Sequence, residues 1–323
     1  MNEEPITTAR GGAPGLEDLC GVIPILVTPF DETGEVDLDA LEQEIGFLVE
    51  SGVRWAGFGF GSEVHRLGDQ QLFSAVRRAT DAGAGRLAIF GNVELKSLAG
   101  AIEQLRRASE AGAQLALVRP GPLSGVPQAA LVDTISKLIA ATDVPIIIQD
   151  APQNTGVELS PKTLAHLVRD VAGVVAVKVE PANPARKIGA VVDELGTAGG
   201  RVIGGAGGAE YLHELARGAC GTMPGPAYPE VFAALTRLHA KGERQHAYAL
   251  FSKVSPLLML CKRDMDTFLF VQKHVLVRRG VLEHPHLGLP HSELDPRLRE
   301  EVDEVLDDLD LLNFFNHCRN VGW

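Results

Sequence analysis

At 323 residues the chain is long enough for one large domain or two ordinary ones, and 45% hydrophobic residues supply a sizeable core. Its formal net charge of −12 argues against a nucleic-acid or anionic-membrane surface. No uninterrupted apolar run of about 18 residues occurs, so no membrane span is expected.

The segment Met1–Leu19 is polar, with Gly, Pro and one Arg. It lacks the apolar region of a signal peptide and the basic character of a transit peptide, and reads as a disordered tail over residues 1–19. Gly21-Val-Ile-Pro-Ile-Leu-Val27 reads as a first strand. A helix follows from Asp37, a suitable N-cap, with Leu38, Leu41, Ile45 and Leu48 on one face and Gly52 after its end. Trp55–Gly59 reads as a strand before a helix from about Asp69. Leu87–Phe90 precedes a helix from about Lys96 to Ala111, and Leu115–Val118 one from Val126 to Ala141. Val144–Ile148 precedes a helix capped by Ser160-Pro161.

The next strand is Val171-Ala-Gly-Val-Val-Ala-Val-Lys178-Val-Glu180, apolar enough to be buried on both faces until its lysine. A helix over about Ala185–Glu194, strand Arg201–Gly204, helix Gly208–Arg217, strand Ala219–Thr222 and helix Tyr228–Ala240 complete the alternation. Eight strands alternating with eight helices predict an α/β fold, a (β/α)8 barrel over residues 20–241. A doubly wound sheet is the competing architecture, but Gly57-Phe-Gly59-Phe-Gly61 only superficially resembles a dinucleotide fingerprint. Past Gly242 the strand signals stop, and three helices, 247–260, 264–279 and 296–312, predict a C-terminal helical region over 242–323.

Cys20, Cys220, Cys261 and Cys318 are far apart in the chain, form no CxxC pair and read as reduced thiols of a cytoplasmic protein. His284, His286 and His291 lie among Pro and Gly without metal-ligand spacing, so no metal is expected.

In a barrel the carboxyl ends of the strands form the active site. Lys178 lies there, and a buried lysine is either one half of an internal ion pair or a Schiff-base nucleophile. Strand alternation puts Glu180 on the same side as Lys178. The turn Gly59-Phe60-Gly61-Ser62-Glu63 offers backbone N–H groups and a hydroxyl for a carboxylate. Gln149, Asp150 and Gly205 end the fifth and seventh strands. A nucleophilic amine, an anion cradle and acid or base groups suit a 2-oxo acid activated as an imine.

These residues also carry a resemblance. Gly21-Val-Ile-Pro-Ile-Leu-Val-Thr-Pro-Phe30, Gly34-Glu-Val-Asp37, Ile146-Ile-Ile-Gln-Asp-Ala-Pro-Gln-Asn-Thr-Gly156 and the Lys178 strand occur in the order typical of one superfamily. From about Gly21 to Leu312 the chain resembles the dihydrodipicolinate synthase / N-acetylneuraminate lyase superfamily of class I lyases. That resemblance implies a barrel with C-terminal helices, a Lys178 imine with no other cofactor, and a homotetramer or homodimer. The departures from the synthase pattern are Gln149 where a tyrosine relays protons, Phe60-Gly61 for two threonines, Asn154 for an arginine, and Gly121-Pro122 for a tyrosine pair.

The remaining pattern resembles the 2-keto-3-deoxy-L-arabonate dehydratase-like branch. It implies catalytic roles for Lys178 as nucleophile, Glu180 or Glu63 for proton transfer, and Gln149 to orient a hydroxyl or water. Gly61, Ser62, Asp150 and Gly205 are then the candidates for substrate binding. The expected activity is dehydration of a 2-keto-3-deoxy sugar acid. Alternatives are an aldolase releasing pyruvate and a non-catalytic family member, the latter favoured by Phe60-Gly61 and Arg66. The expected partner is a small 2-oxo acid, with neither nucleic acid nor membrane.

Overall fold

The computed structural model describes residues 13–121 and 125–320; residues 1–12 of the expected tail, and Pro122 after the fourth strand, lie outside the described residues. Eight parallel strands form one sheet: β1 (Gly21–Val22), β2 (Trp55–Gly57), β3 (Ala88–Leu95), β4 (Leu115–Pro120), β5 (Ile146–Asp150), β6 (Val174–Val179), β7 (Val202–Gly204) and β8 (Gly221–Thr222). Their order, β1-β8-β7-β6-β5-β4-β3-β2, sets the first strand beside the last. Ile25 bridges to Gly57 of β2 and brings the sheet round to a nearly closed barrel, which excludes the open doubly wound alternative.

The first strand is shorter than its seven-residue apolar run. Pro24 has no N–H to give, and here the chain passes from one neighbour to the other. Ile23 N and Ile25 N bond to Thr222 and Pro224 on the β8 side, while Leu26 N and the Pro24 carbonyl bond to Gly57 on the β2 side. In contrast, β3 runs five residues past the expected end at Phe90, because Asn92 and Glu94 continue the strand as polar groups at its carboxyl end.

Helices α1 (Leu38–Glu50), α2 (Asp69–Gly83), α3 (Leu98–Glu110), α4 (Gln128–Ala140), a single turn α5 (Pro152–Thr155), α6 (Pro161–Asp170), α7 (Pro184–Leu195), α8 (Tyr211–Leu215) and α9 (Pro229–Ala240) follow their strands. Asp37 caps α1 by accepting from Asp39 N and Ala40 N, and Ser160 caps α6 through Thr163 N. Four more helices follow: α10 (Arg244–Cys261), α11 (Met265–Arg278), α12 (Leu298–Asp308) and α13 (Leu311–Asn320). The helix expected over 296–312 ends at Asp308, Asp310 with φ +48° breaks it there, and α13 runs on beyond the expected end.

Leu235 and Phe232 of α9 share one buried cluster with Leu250 and Val254 of α10 and Leu269 of α11. The C-terminal helices therefore extend the barrel's own outer core. The end of the expected tail is also built into the fold. Leu16–Asp18 form a 3-10 turn, Trp55 Nε1 donates to the Gly15 carbonyl at 2.9 Å, and Leu19 is buried with Ile23, Trp55 and Phe90. Those apolar side chains pay for ordering residues 13–19. Among the described residues no helix is long and apolar enough to cross a membrane.

Candidate active site

The barrel interior is layered. Leu117, Ile147, Ala176 and Ile203 fill one apolar layer, and by strand alternation the next inward residues are Arg119, Gln149 and Lys178. Gln149 stands in register with Lys178 on β5 and β6. Lys178 is only 4% exposed, and its Nζ lies 3.0 Å from Glu180 Oε2. Gln149 Nε2 donates to the same carboxylate oxygen at 2.7 Å, and Ala206 N donates to Oε1 at 2.6 Å. Burial would push the Glu180 carboxyl up, but the Lys178 charge and the donors from Ala206 and Gln149 outweigh it and hold the group below its ordinary range.

Gly205 is adjacent, and its lack of a side chain matters. A Cβ there would lie 2.1 Å from Glu180 Oε1 and 2.8 Å from Lys178 Cε. Lys178, Glu180, Gln149 and Gly205 are thus brought together by three neighbouring strands.

A second polar group lies toward β3 and β4. Arg119, one residue past the expected end of the fourth strand at Val118, projects inward from β4 and is 5% exposed. Its Nη2 lies 3.5 Å from Glu94 Oε1, its guanidinium covers the Phe60 ring at 4.8 Å, and its Nη1 is buried without a hydrogen-bond partner. Burial lowers its pKa. Asn92 Oδ1 and Gln149 Oε1 are also buried and unpartnered. A cavity of about 370 Å³ opens here, lined by Phe60, His65, Asn92, Glu94, Arg119 and Asn154 among others. The signal for Arg119 was available: it follows the inward Leu115 and Leu117 at the same period of two that singled out Lys178.

Three expected site residues have their functional atoms directed elsewhere. Ser62 is buried; its hydroxyl donates to the Leu26 carbonyl at 2.5 Å and accepts from Gly59 N at 3.1 Å. That hydroxyl pins the turn and has no proton left for a substrate carboxylate. Gly61 beside it packs against the ring of Phe268 from α11 and against Ile25. Glu63, in a left-handed conformation at φ +57°, sends its fully buried carboxylate to Lys273 Nζ at 2.9 Å and Arg66 Nη1 at 3.1 Å. It belongs to an ion network with α11, which corrects its expected role in proton transfer. Asp150 alternates away from Gln149: it accepts from Leu159 N at 2.9 Å and pairs with Lys187 Nζ at 2.7 Å, outside the barrel wall. That placement corrects its expected contact with substrate.

The dihydrodipicolinate synthetase family model matches residues 18–309. The chain is 27% identical over 303 residues to the L-2-keto-3-deoxyarabonate dehydratase of Azospirillum brasilense, covering 90% of this chain and 95% of that one. It is 29% identical over 295 residues to the 4-hydroxy-tetrahydrodipicolinate synthase of Xanthomonas axonopodis pv. citri, covering 90% and 94%. The crystal structure of dihydrodipicolinate synthase from Rhodopseudomonas palustris superimposes with a TM-score of 0.83 at 25% identity, over 91% of this chain and 99% of that one.

Proposed function

The chain belongs to the dihydrodipicolinate synthetase family of lyases, and from that premise we propose that Lys178 forms an imine with a 2-oxo acid and that the reaction is dehydration of a 2-keto-3-deoxy sugar acid. The observation that carries the reading is the Lys178–Glu180 contact at 3.0 Å, with Gln149 and Ala206 N holding the carboxylate.

Glu180, held ionised, takes a proton from the Lys178 ammonium, and the free amine adds to the C2 carbonyl with loss of water. With the amine consumed, Glu180 stands beside the imine and can remove a proton from C3. The electron pair flows toward the imine nitrogen, and the C4 hydroxyl then leaves as water on receiving that proton. Loss of a C5 proton, tautomerisation of the resulting enol and hydrolysis of the imine give a 2-oxo acid semialdehyde and free Lys178. The net change is one water lost.

Two further observations support this class. The likeness to a protein named L-2-keto-3-deoxyarabonate dehydratase covers almost the whole chain. The likeness to synthases is of similar strength, but Gln149 here offers no phenol to relay a proton and instead fixes Glu180. Arg119, with Nη1 unpartnered, supplies the positive charge for the substrate carboxylate that Ser62 cannot meet. The scheme uses no cofactor beyond the covalent imine.

Incubation of the purified protein with 2-keto-3-deoxypentonates of both configurations tests the reaction. A semialdehyde without pyruvate is expected; pyruvate plus an aldehyde would make the protein an aldolase and overturn dehydration. Borohydride reduction with pyruvate tests the imine separately, by intact mass. An adduct is expected on the wild type and none on Lys178→Ala. A wild type that traps nothing would leave the non-catalytic reading.

A further inference from the structure

Two cysteines separated by most of the sequence meet at the seam where the barrel closes. Gly21 of β1 stands in parallel register with Gly221 of β8, and Gly21 N donates to the Cys220 carbonyl at 2.8 Å. Cys20 and Cys220 therefore sit side by side, one residue before the paired strands. Neighbouring strands lie about 4.8 Å apart, within the roughly 4.4–6.8 Å between Cα atoms that a disulfide spans. The two thiols are close enough to shift one another's protonation, and Arg201, just before β7, places its charge near Cys20. On the other side, Cys220 N bonds to the Val202 carbonyl at 2.9 Å, which ties the group to β7.

The surroundings separate this pair from the other thiols. Cys20 and Cys220 are partly exposed, whereas Cys261 and Cys318 are buried. Burial pushes the Cys261 thiol up to about 11 and Cys318 up to about 12. Within the pair only Cys20 is lowered, to about 7: the neighbouring Cys220 and the charge of Arg201 outweigh the cost of burial. Cys220 is raised well above its ordinary value by Cys20 and by burial, so Cys20 is the attacking thiol. The thiolate is the reactive form, and a partly exposed cysteine beside a cation and a second thiol is the environment in which it reacts.

We propose that Cys20 and Cys220 are a peroxide-responsive dithiol that closes into a disulfide across the β1–β8 seam. The Cys20 thiolate attacks one oxygen of hydrogen peroxide and the O–O bond breaks. Hydroxide leaves and is protonated to water, and Cys20 becomes a sulfenic acid. The Cys220 sulfur then displaces that hydroxyl, the S–S bond forms and a second water departs. Two thiols lose two electrons and two protons, and one peroxide is reduced to two waters. The pair lies at the amino ends of the strands, while Lys178 stands near the carboxyl end of β6. The bond would therefore act on the barrel seam and not on the proposed chemistry. The β1–β8 ladder holds two residue pairs, as do β6–β7 and β7–β8, so a covalent tie here reinforces one of the short ladders of the barrel.

The test treats the full-length protein with a small excess of hydrogen peroxide, against a dithiothreitol-treated control. Titratable thiols should fall from four to two, intact mass should drop by about 2 Da, and a proteolytic map should show Cys20 linked to Cys220. The melting temperature should rise by roughly 5 °C, and neither Cys20→Ser nor Cys220→Ser should show the rise. Cys220→Ser should instead gain about 16 Da on Cys20. Should a serine variant fail to fold, the wild-type peptide map decides alone. Four thiols surviving peroxide, oxidation of Cys261 or Cys318 ahead of the pair, or further oxidation of Cys20 without a cross-link would each overturn the proposal.

Discussion

Glu180 is the residue in which the site's geometry converges. Its two oxygens receive Lys178 Nζ, Gln149 Nε2 and Ala206 N, and Gly205 leaves room for it by having no side chain. A carboxylate so held stays ionised at neutral pH, which suits it to accept protons from the amine and then from C3. Glu180→Gln keeps the size and an acceptor oxygen while removing the basicity. Turnover should fall by about 10²–10⁴-fold, while borohydride with pyruvate should still label Lys178, only more slowly. Steady-state rates and intact mass on the same preparation check this. Turnover within about threefold of wild type would mean that the proton passes elsewhere.

Among the elements, α11 supports the turn after β2 from the outer helices. Phe268 rests on Gly61 and Gly207, and Lys273, fully buried, donates to Glu63 at 2.9 Å and to the His286 carbonyl at 2.6 Å. Lys273→Met strands a buried carboxylate that keeps Arg66 as its remaining cation, and should cost about 3 kcal/mol in guanidinium unfolding. Adding Glu63→Gln should recover part of that loss, and the double variant should still trap pyruvate on Lys178, since Glu63 serves the ion network. An additive double variant would show that the pair is not coupled. Glu63 also marks where sequence reading stopped. The alternation of strands and helices, the Asp37 and Ser160 caps, and the Lys178–Glu180 side of β6 were legible because each rests on local periodicity. The direction of Glu63 depends on Lys273, over two hundred residues away, and no local pattern encodes that. Asp150 is different: the period of two that placed Gln149 inward also placed Asp150 outward, so that misreading was avoidable. Cys20 and Cys220 became neighbours only through the closure of the sheet.

At the scale of the whole molecule, two buried acids behind the barrel wall should govern how stability depends on pH. Glu44 of α1 accepts from Val27 N at 3.1 Å and leaves Oε2 without a partner; burial pushes it up to about 8. Glu214 of α8 packs its carboxyl against Gly204, where a Cβ would lie 2.0 Å from Oε2, and burial, with Glu180 and Glu210 nearby, raises it to about 8 as well. Both pKa values exceed the ordinary 4.5, so between the two values the folded chain binds protons that the unfolded chain has released. The stabilising contribution is therefore complete below about 4.5 and is lost as pH rises toward 8, at about 1.4 kcal/mol per pH unit for each group. Other groups act against this trend: His65, lowered chiefly by burial, favours the fold as pH rises toward 6.5, and Cys20 does so above about 7. A difference between variants isolates the acids. Glu214→Gln should flatten the fall in melting temperature between pH 5 and 7 relative to wild type, and Glu44→Gln combined with it should flatten the fall further. Parallel curves for wild type and both variants would mean that these carboxyls ionise in the fold as freely as in the unfolded chain. Because Glu214 raises its own pKa partly through the charge on Glu180, Glu180→Gln should lower the pH at which Glu214 ionises and narrow the same window from its upper end. The acid proposed for catalysis and the acid buried behind it would then be linked through one measurement of stability.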